Sequence, residues 1–298
     1  MTVSKTSQAV AGTRAGFARP HSPHGDPRAQ RRLCAGMRAH ALDHMRASLA
    51  ARTAFFDGQV TAAIAAGTRQ VVILGAGYDD RALRFGSPGV RFFEIDHPDT
   101  QADKRARLAA ILAEDAALVP GSAAPADRSA DGPPRPGQGA DEPPRPGQGA
   151  AALPRPAAPV LAAADFARDD VARVLARAGH DPALPTLFLG EGLLVYLDQP
   201  STVRLLAGAA AAAAVGSSLA ASLAIHADGL DSAAVLARGN ARRRTAGSEP
   251  WLTILPAAGQ TDLLARAGWL LTSAVDPADL GTGADAGRSL LVTARPAG

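Results

Sequence analysis

Two acid-bearing turns hold the residues best placed to do chemistry. Gly75-Ala76-Gly77 follows the apolar run Val71 to Leu74, and Asp96 follows a second apolar run, Val90 to Ile95. A short β-branched run bounded by glycine predicts a strand buried on both faces. A glycine pair directly after such a strand lets backbone approach a ligand where a Cβ would intrude. Asp96 lies 19 positions after Gly77, close to the roughly 20-residue offset at which nucleotide folds set a carboxylate on ribose hydroxyls. The third glycine of a dinucleotide fingerprint is missing, and Asp80 stands there beside Asp79. Two carboxylates opening a helix suit its dipole but would repel a pyrophosphate. The pattern therefore predicts a nucleoside ligand with a cationic or zwitterionic tail. S-adenosylmethionine, with its sulfonium, ammonium and ribose diol, is such a ligand. A tight turn and a helix cap would explain the glycines and Asp79-Asp80 alone; the acid ending the next strand favours a ligand.

A second acid is bracketed by glycines: Gly190-Glu191-Gly192 follows the apolar run Thr186 to Leu189. At the carboxyl end of a parallel sheet, Glu191 would face the same crevice as Gly75 and Asp96. A buried glutamate requires a cation or several donors, and the ammonium of the ligand would serve. Tyr196, five residues on, either lines the transfer end or packs. Asp165-Phe166 ends another apolar run from Val160, and Asp165 could cap a helix over 167–178. His97 and His226 could act as bases for a hydroxyl acceptor, though a structural role is the simpler expectation for each. His21 and His24 are three apart in a proline-rich arm, where plain exposure is the simpler expectation, so no metal is expected.

These motifs have company. Ala51-Arg-Thr-Ala-Phe-Phe-Asp57, then Gln70 to Arg81, then Phe93-Glu-Ile-Asp-His-Pro98 with Lys104, then Leu187-Phe-Leu-Gly-Glu-Gly-Leu-Leu-Val-Tyr-Leu197 occur in that order. The set resembles the leucine carboxyl methyltransferase family, most closely its bacterial branch of S-adenosylmethionine-dependent and polyketide O-methyltransferases. The resemblance covers roughly 35–112 and 160–295. It implies that Arg52 holds the methionine carboxylate, a task a planar guanidinium performs bidentately, with Arg38 and Arg46 as weaker candidates for a second contact. It also implies that Asp165 accepts from the adenine amine while the Phe166 N–H donates to the ring. Residues 1–32 would then form a mobile arm or lid over the cofactor.

The elements that position these residues follow from periodicity. Helical spacing runs from Leu33 to Ala66 and from Thr100 to Leu112, with further helices over Gln199 to Val215 and Gln260 to Ala267. Strands are expected at Val160 to Phe166, Ser217 to Ile225, Trp269 to Val275 and Ser289 to Thr293, the last two as a hairpin with a reversed strand. Residues 229–250 read as an arginine- and serine-rich connection belonging to a substrate lid. The predicted fold is a doubly wound, Rossmann-like α/β sheet of seven strands with an antiparallel edge strand and a helical lid, one methyltransferase domain over 33–298. It is interrupted at 120–159, where Ala-Asp-Gly-Pro-Pro-Arg-Pro-Gly-Gln-Gly at 130–139 recurs at 140–149 with one change. Such a repeat has no apolar face to offset its ordering entropy, so a disordered insert is expected.

Composition narrows the class. The net charge is +3, but arginines are scattered, Lys5 and Lys104 are the only lysines, and aromatics make up 4%. That lacks the clustered basic footprint of a nucleic-acid surface; Arg242-Arg243-Arg244 reads as a solvated face. The single Cys34 excludes an internal disulfide. No signal-peptide core is visible, and the stretch Leu205 to Val215 is too short to span a bilayer, so a cytoplasmic protein without membrane partners is expected. The expected reaction is methyl transfer from S-adenosylmethionine to an oxygen of a small molecule, a carboxylate above a hydroxyl. A nicotinamide-dependent oxidoreductase and an idle cofactor-binding regulator are the competing readings.

Overall fold

The computed structural model describes residues 4–37, 42, 45–117, 157–245, 249–283 and 288–298. Seven strands form one sheet: β1 (Gln70–Leu74), β2 (Arg91–Asp96), β3 (Val160–Ala163), β4 (Thr186–Gly190), β5 (Ser218–Ala224), β6 (Trp269–Val275) and β7 (Ser289–Pro296). Their order is β3-β2-β1-β4-β5-β7-β6. The first five run parallel, while β7 is antiparallel to both β5 and β6. The expected doubly wound sheet is present, and its antiparallel hairpin forms one edge, with the reversed strand β7 one place in. Strand order reverses between β1 and β4, the switch point where such sheets open a crevice at their carboxyl ends.

The core explains why β1 reads as an unbroken apolar run. Val71 and Ile73 pack with Phe56 and Val60 of α3 (Arg46–Ala65) on one face. Val72 and Leu74 join Phe93, Phe188 and Trp269 on the other. That second layer is completed by Leu175 from α6 (Val171–Arg177), Leu205 and Leu206 from α7 (Gln199–Ala211), and Leu263 and Leu264 from α9 (Ala257–Arg266). Each such side chain contributes about 1.5–3 kcal/mol on burial. The strand tips are therefore fixed from both faces.

Several boundaries differ from expectation for local reasons. The arm carries α1 (Lys5–Arg14), capped by the Ser4 hydroxyl, and α2 (Ala29–Leu33). The helix expected from Leu33 is broken: Gly36 adopts φ +73 just after α2, which favours glycine and ends a helix, and α3 begins only at Arg46. After β3 the helix starts at Val171 because Asp170 caps it, accepting from Ala172 N and Arg173 N. Asp165, for which a cap was the alternative to an adenine contact, accepts from Ala167 N at 3.0 Å in the preceding turn. Between β1 and β2 lies the single-turn α4 (Arg81–Arg84), and after β2 comes α5 (Pro98–Ala117). The segment read as a connection holds α8 (Ser232–Thr245). Most of the insert expected at 120–159 lies outside the described residues, as does Arg38. Among the described residues, no helix is long and apolar enough to cross a membrane.

Candidate functional site

The site grows from the turn after β1. Gly75 (φ +64) and Gly77 (φ +46) take conformations that disfavour any side chain. Gly75 N and Ala76 N donate to Ile95 O at 2.8 and 3.1 Å, and Gly77 N donates to Asp96 Oδ2 at 2.5 Å. All three N–H groups of the turn are thus spent on β2. A phosphate cradle requires N–H groups that point at a ligand, so this turn cannot serve a pyrophosphate. The space left by the missing Cβ atoms is filled by the chain itself: a Cβ on Gly75 would lie 2.8 Å from Leu193 Cδ1, and one on Gly77 3.0 Å from Ser7 Cβ of α1.

Asp96 ends β2 with its carboxylate accepting from Gly77 N and, at 2.7 Å, from His97 N. Burial raises its pKa, and the two backbone donors only partly oppose that rise. It therefore stands as an acceptor with no cation bonded to it among the described residues. Behind it, Glu94 of the same strand pairs with Lys104 Nζ at 2.5 Å, and that ammonium also donates to Asp79 O at 2.8 Å. Burial pushes the Glu94 carboxyl up to about 7, against the pull of Lys104. Lys104 so ties the glycine turn to β2 from α5.

Glu191 sits across the switch point, at the tip of β4. It needs a cation, and the chain supplies three. Arg14 of α1 pairs with Oε1, Arg52 Nε reaches Oε1 at 2.9 Å, and Arg81 Nη1 reaches Oε2 at 2.7 Å. Burial alone would raise this carboxyl, but Arg14, Arg81 and Arg52 outweigh it and hold it well below the usual carboxylate range. Arg81 is completely buried and also binds Asp79 at 2.5 Å and Asp57 at 2.8 Å. Asp57 is further held by Arg19, and Asp80 by Arg19 and Arg84. Asp79 and Asp80 were expected to repel a pyrophosphate, but arginines neutralise both; pyrophosphate is excluded instead by the spent N–H groups.

Charge in this cluster does not balance. Among the described residues, five guanidiniums (Arg14, Arg19, Arg52, Arg81, Arg84) meet four carboxylates (Asp57, Asp79, Asp80, Glu191). Arg14 Nε is buried with no hydrogen-bond partner among them. The Nη1 and Nη2 atoms of Arg52 lie 3.4 Å from the position a Cβ on Gly192 would take. The excess of one positive charge and the orphaned donor together fit a single carboxylate. A buried donor left without an acceptor is costly, which makes this the clearest ligand signal among the described residues.

Of the residues singled out from sequence, Gly75, Ala76, Gly77, Asp96, Glu191 and Arg52 converge on adjacent strand tips. Asp165 follows Ala164, whose N–H donates to Asp96 O at 2.9 Å, so it borders the same row, half-exposed and near Arg168. The Phe166 ring is buried in the core. Tyr196 lies in the 3-10 turn Leu194–Tyr196 just past Glu191 and accepts from Arg243 Nη2 at 3.2 Å. His97 is exposed, and Arg46 stacks on Phe17 rather than reaching Glu191. His226 is engaged at both nitrogens, by Ala227 O and Ser232 Oγ, each at 2.8 Å. Sequence reasoning missed Arg14, Arg19 and Arg81. The signal for Arg81 was present: four acids crowded near strand tips demand cations, and Arg81 adjoins two of them. Arg14 and Arg19 sit in an arm with no legible periodicity.

Comparison with known proteins places the chain in a family. The family described as leucine carboxyl methyltransferase matches residues 15–210. A protein of Parafrankia sp. (strain EAN1pec), provisionally named an S-adenosyl-L-methionine-dependent methyltransferase, is 37% identical over 189 residues, covering 62% of this chain and 47% of its own. A protein of Saccharopolyspora erythraea with the same provisional name is 37% identical over 187 residues, covering 62% and 51%. The chain spans about half the length of the curated relatives it matches. A solved structure from Thermobifida fusca, provisionally named a methyltransferase, covers 98% of this chain and 94% of its own at 15% identity and TM-score 0.49, too slight a likeness to carry weight. The family match runs from the arm through Arg52, the glycine turn, Asp96 and Glu191 into α7, and the chain belongs to the leucine carboxyl methyltransferase family.

Proposed function

We propose that this chain is an S-adenosylmethionine-dependent O-methyltransferase acting on a carboxylate of a small molecule, of the kind modified in secondary metabolism. One observation carries the reading: an acceptor free of cations and an excess of cations lie along a single row of strand tips. Among the described residues, Asp96 is a half-buried carboxylate held by two backbone N–H groups and bonded to no cation, and one positive charge stands in excess around Arg14 and Arg52. A ribose diol supplies hydroxyl donors for the first, and an amino-acid carboxylate supplies the missing anion for the second.

The roles follow. Asp96 accepts from the ribose hydroxyls. Arg52 and Arg14 share the methionine carboxylate, and Glu191 takes the ammonium in place of part of its arginine shell. The turn Gly75-Ala76-Gly77 forms the wall of the nucleoside site, with Asp165 and the Phe166 N–H at the adenine end. Because Ser7 and Leu193 cover the glycines, the 1–32 arm acts as the lid and α1 gives way for the donor to enter. When bound, S-adenosylmethionine offers a sulfonium methyl whose C–S bond breaks, electrons staying on sulfur, as a C–O bond forms to the acceptor. A carboxylate acceptor is already ionised near neutral pH and requires no base, which agrees with His226 being held by Ala227 and Ser232. The work left to the protein is positioning.

Calorimetric titration of the purified chain with S-adenosylmethionine and, separately, with NAD tests this reading. One-site binding of S-adenosylmethionine and none of NAD is expected. Binding of NAD alone would overturn it.

A further inference from the structure

Arg243 differs from every arginine at the strand tips. It lies on the inner stripe of α8, where Ser232, Val235, Leu236, Gly239 and Arg243 are half-buried at helical spacing. Its Nε donates to Glu249 O at 2.6 Å and its Nη2 to Tyr196 Oη at 3.2 Å. The guanidinium stands 4.6 Å from the Trp251 ring centre and 5.6 Å from that of Tyr196. Its partners among the described residues are therefore a carbonyl, a phenol and two rings, all neutral. The rings fix the guanidinium plane and shield it from water without cancelling its charge.

The clamp is tied by hydrogen bonds to the stretch that follows Glu191. Asn240 grips the Trp251 backbone at both ends, donating to its O at 2.7 Å and accepting from its N at 2.8 Å. A Cβ on Gly239 would be 3.5 Å from the Trp251 ring, so the helix backbone packs directly under it. Leu252 N donates to Val195 O at 2.7 Å, joining the clamp to the 3-10 turn that holds Tyr196. That same stretch contributes Leu193, which covers Gly75.

We propose that Arg243 is the anchor for the acceptor's carboxylate, an inference that rests on reading the strand tips as the donor site. A guanidinium fork matches a carboxylate geometrically. One already oriented by neutral partners binds an anion without first breaking an ion pair. The acceptor class is then small carboxylic acids, selected against their amides and alcohols. Esterification removes the charge that the anchor grips, so the product is released in favour of fresh acid.

The test titrates benzoate and benzamide into the protein saturated with S-adenosylhomocysteine, following ligand resonances by NMR, for wild type, Arg243→Gln and Arg243→Lys. Thermal melting and S-adenosylhomocysteine affinity serve as controls. Benzoate should bind wild type, at least tenfold more weakly to Arg243→Gln, and with intermediate strength to Arg243→Lys, while benzamide does not discriminate. Should Arg243→Gln melt early, the loss in Arg243→Lys decides. Benzoate binding that is absent from wild type, or equal in all three proteins, would overturn the anchor. Failure of wild type to bind S-adenosylhomocysteine would instead defeat the donor-site reading itself.

Discussion

The strand tips and helix α8 both depend on arginine, yet they use it in opposite ways. At the tips of β1 and β4, Arg14, Arg19, Arg81 and Arg84 are buried against carboxylates. Under α8, Arg243 is half-buried against two rings, a carbonyl and a phenol. In the first region the charges mostly cancel, and the remainder is one positive charge beside an orphaned Arg14 Nε. In the second no described residue cancels the charge. The difference separates holding from receiving: a paired buried guanidinium fixes loops in place, and one with neutral partners is ready for an anion. A buried ion pair often adds little net stability over an apolar pair, but removing one partner strands the other at a large cost.

That asymmetry sets the largest expected effect. Arg81→Ala leaves Asp57, Asp79 and Glu191 short of a shared cation. It should cost about 3–5 kcal/mol of stability, read from urea unfolding. A loss below about 1 kcal/mol would show that the tip cluster tolerates unpaired carboxylates and would erase the contrast with α8.

A smaller effect probes the ion pair behind the glycine turn. The Glu94 carboxyl is raised in the folded protein from 4.5 to about 7. A group raised on folding contributes stability that is fully present below its unfolded pKa and is lost as pH rises through the folded value. The stability of wild type relative to Glu94→Gln should therefore fall between pH 4.5 and 7, by at most on the order of 3 kcal/mol. Parallel unfolding midpoints for the two proteins across that range would show that Lys104 keeps Glu94 ionised throughout.

How much of this was legible in the sequence depended on whether a local rule was at work. The strands at 70–74 and 186–190 were readable because burial on both faces demands an unbroken apolar run. The glycine turn and Asp96 were readable because backbone conformation and offset constrain them. Glu191 was readable as a misplaced charge, but its three arginine partners lie 177, 139 and 110 positions away in sequence, beyond any local pattern. Asp165 was weighed as a helix cap beside its implied adenine contact, and Asp170 holds the cap because it stands directly before the helix. Helix α8 was hidden because its inner stripe is carried by Ser232, Gly239 and Arg243 as well as by apolar residues, and composition there suggested a loop. The arm lacked periodicity because α1 buries Thr13 and Arg14 rather than a hydrophobic face.

The central claim is that a sulfonium nucleoside lies along the tips of β1, β2 and β4, its ribose held by Asp96. Calorimetric titration of S-adenosylmethionine into wild type and Asp96→Ala, with both shown to be folded by thermal melting, tests it most directly. The account predicts at least a tenfold loss of affinity in the variant, about 1.4 kcal/mol, the scale of a hydrogen bond to a charged group. Equal affinity in the two proteins would contradict it.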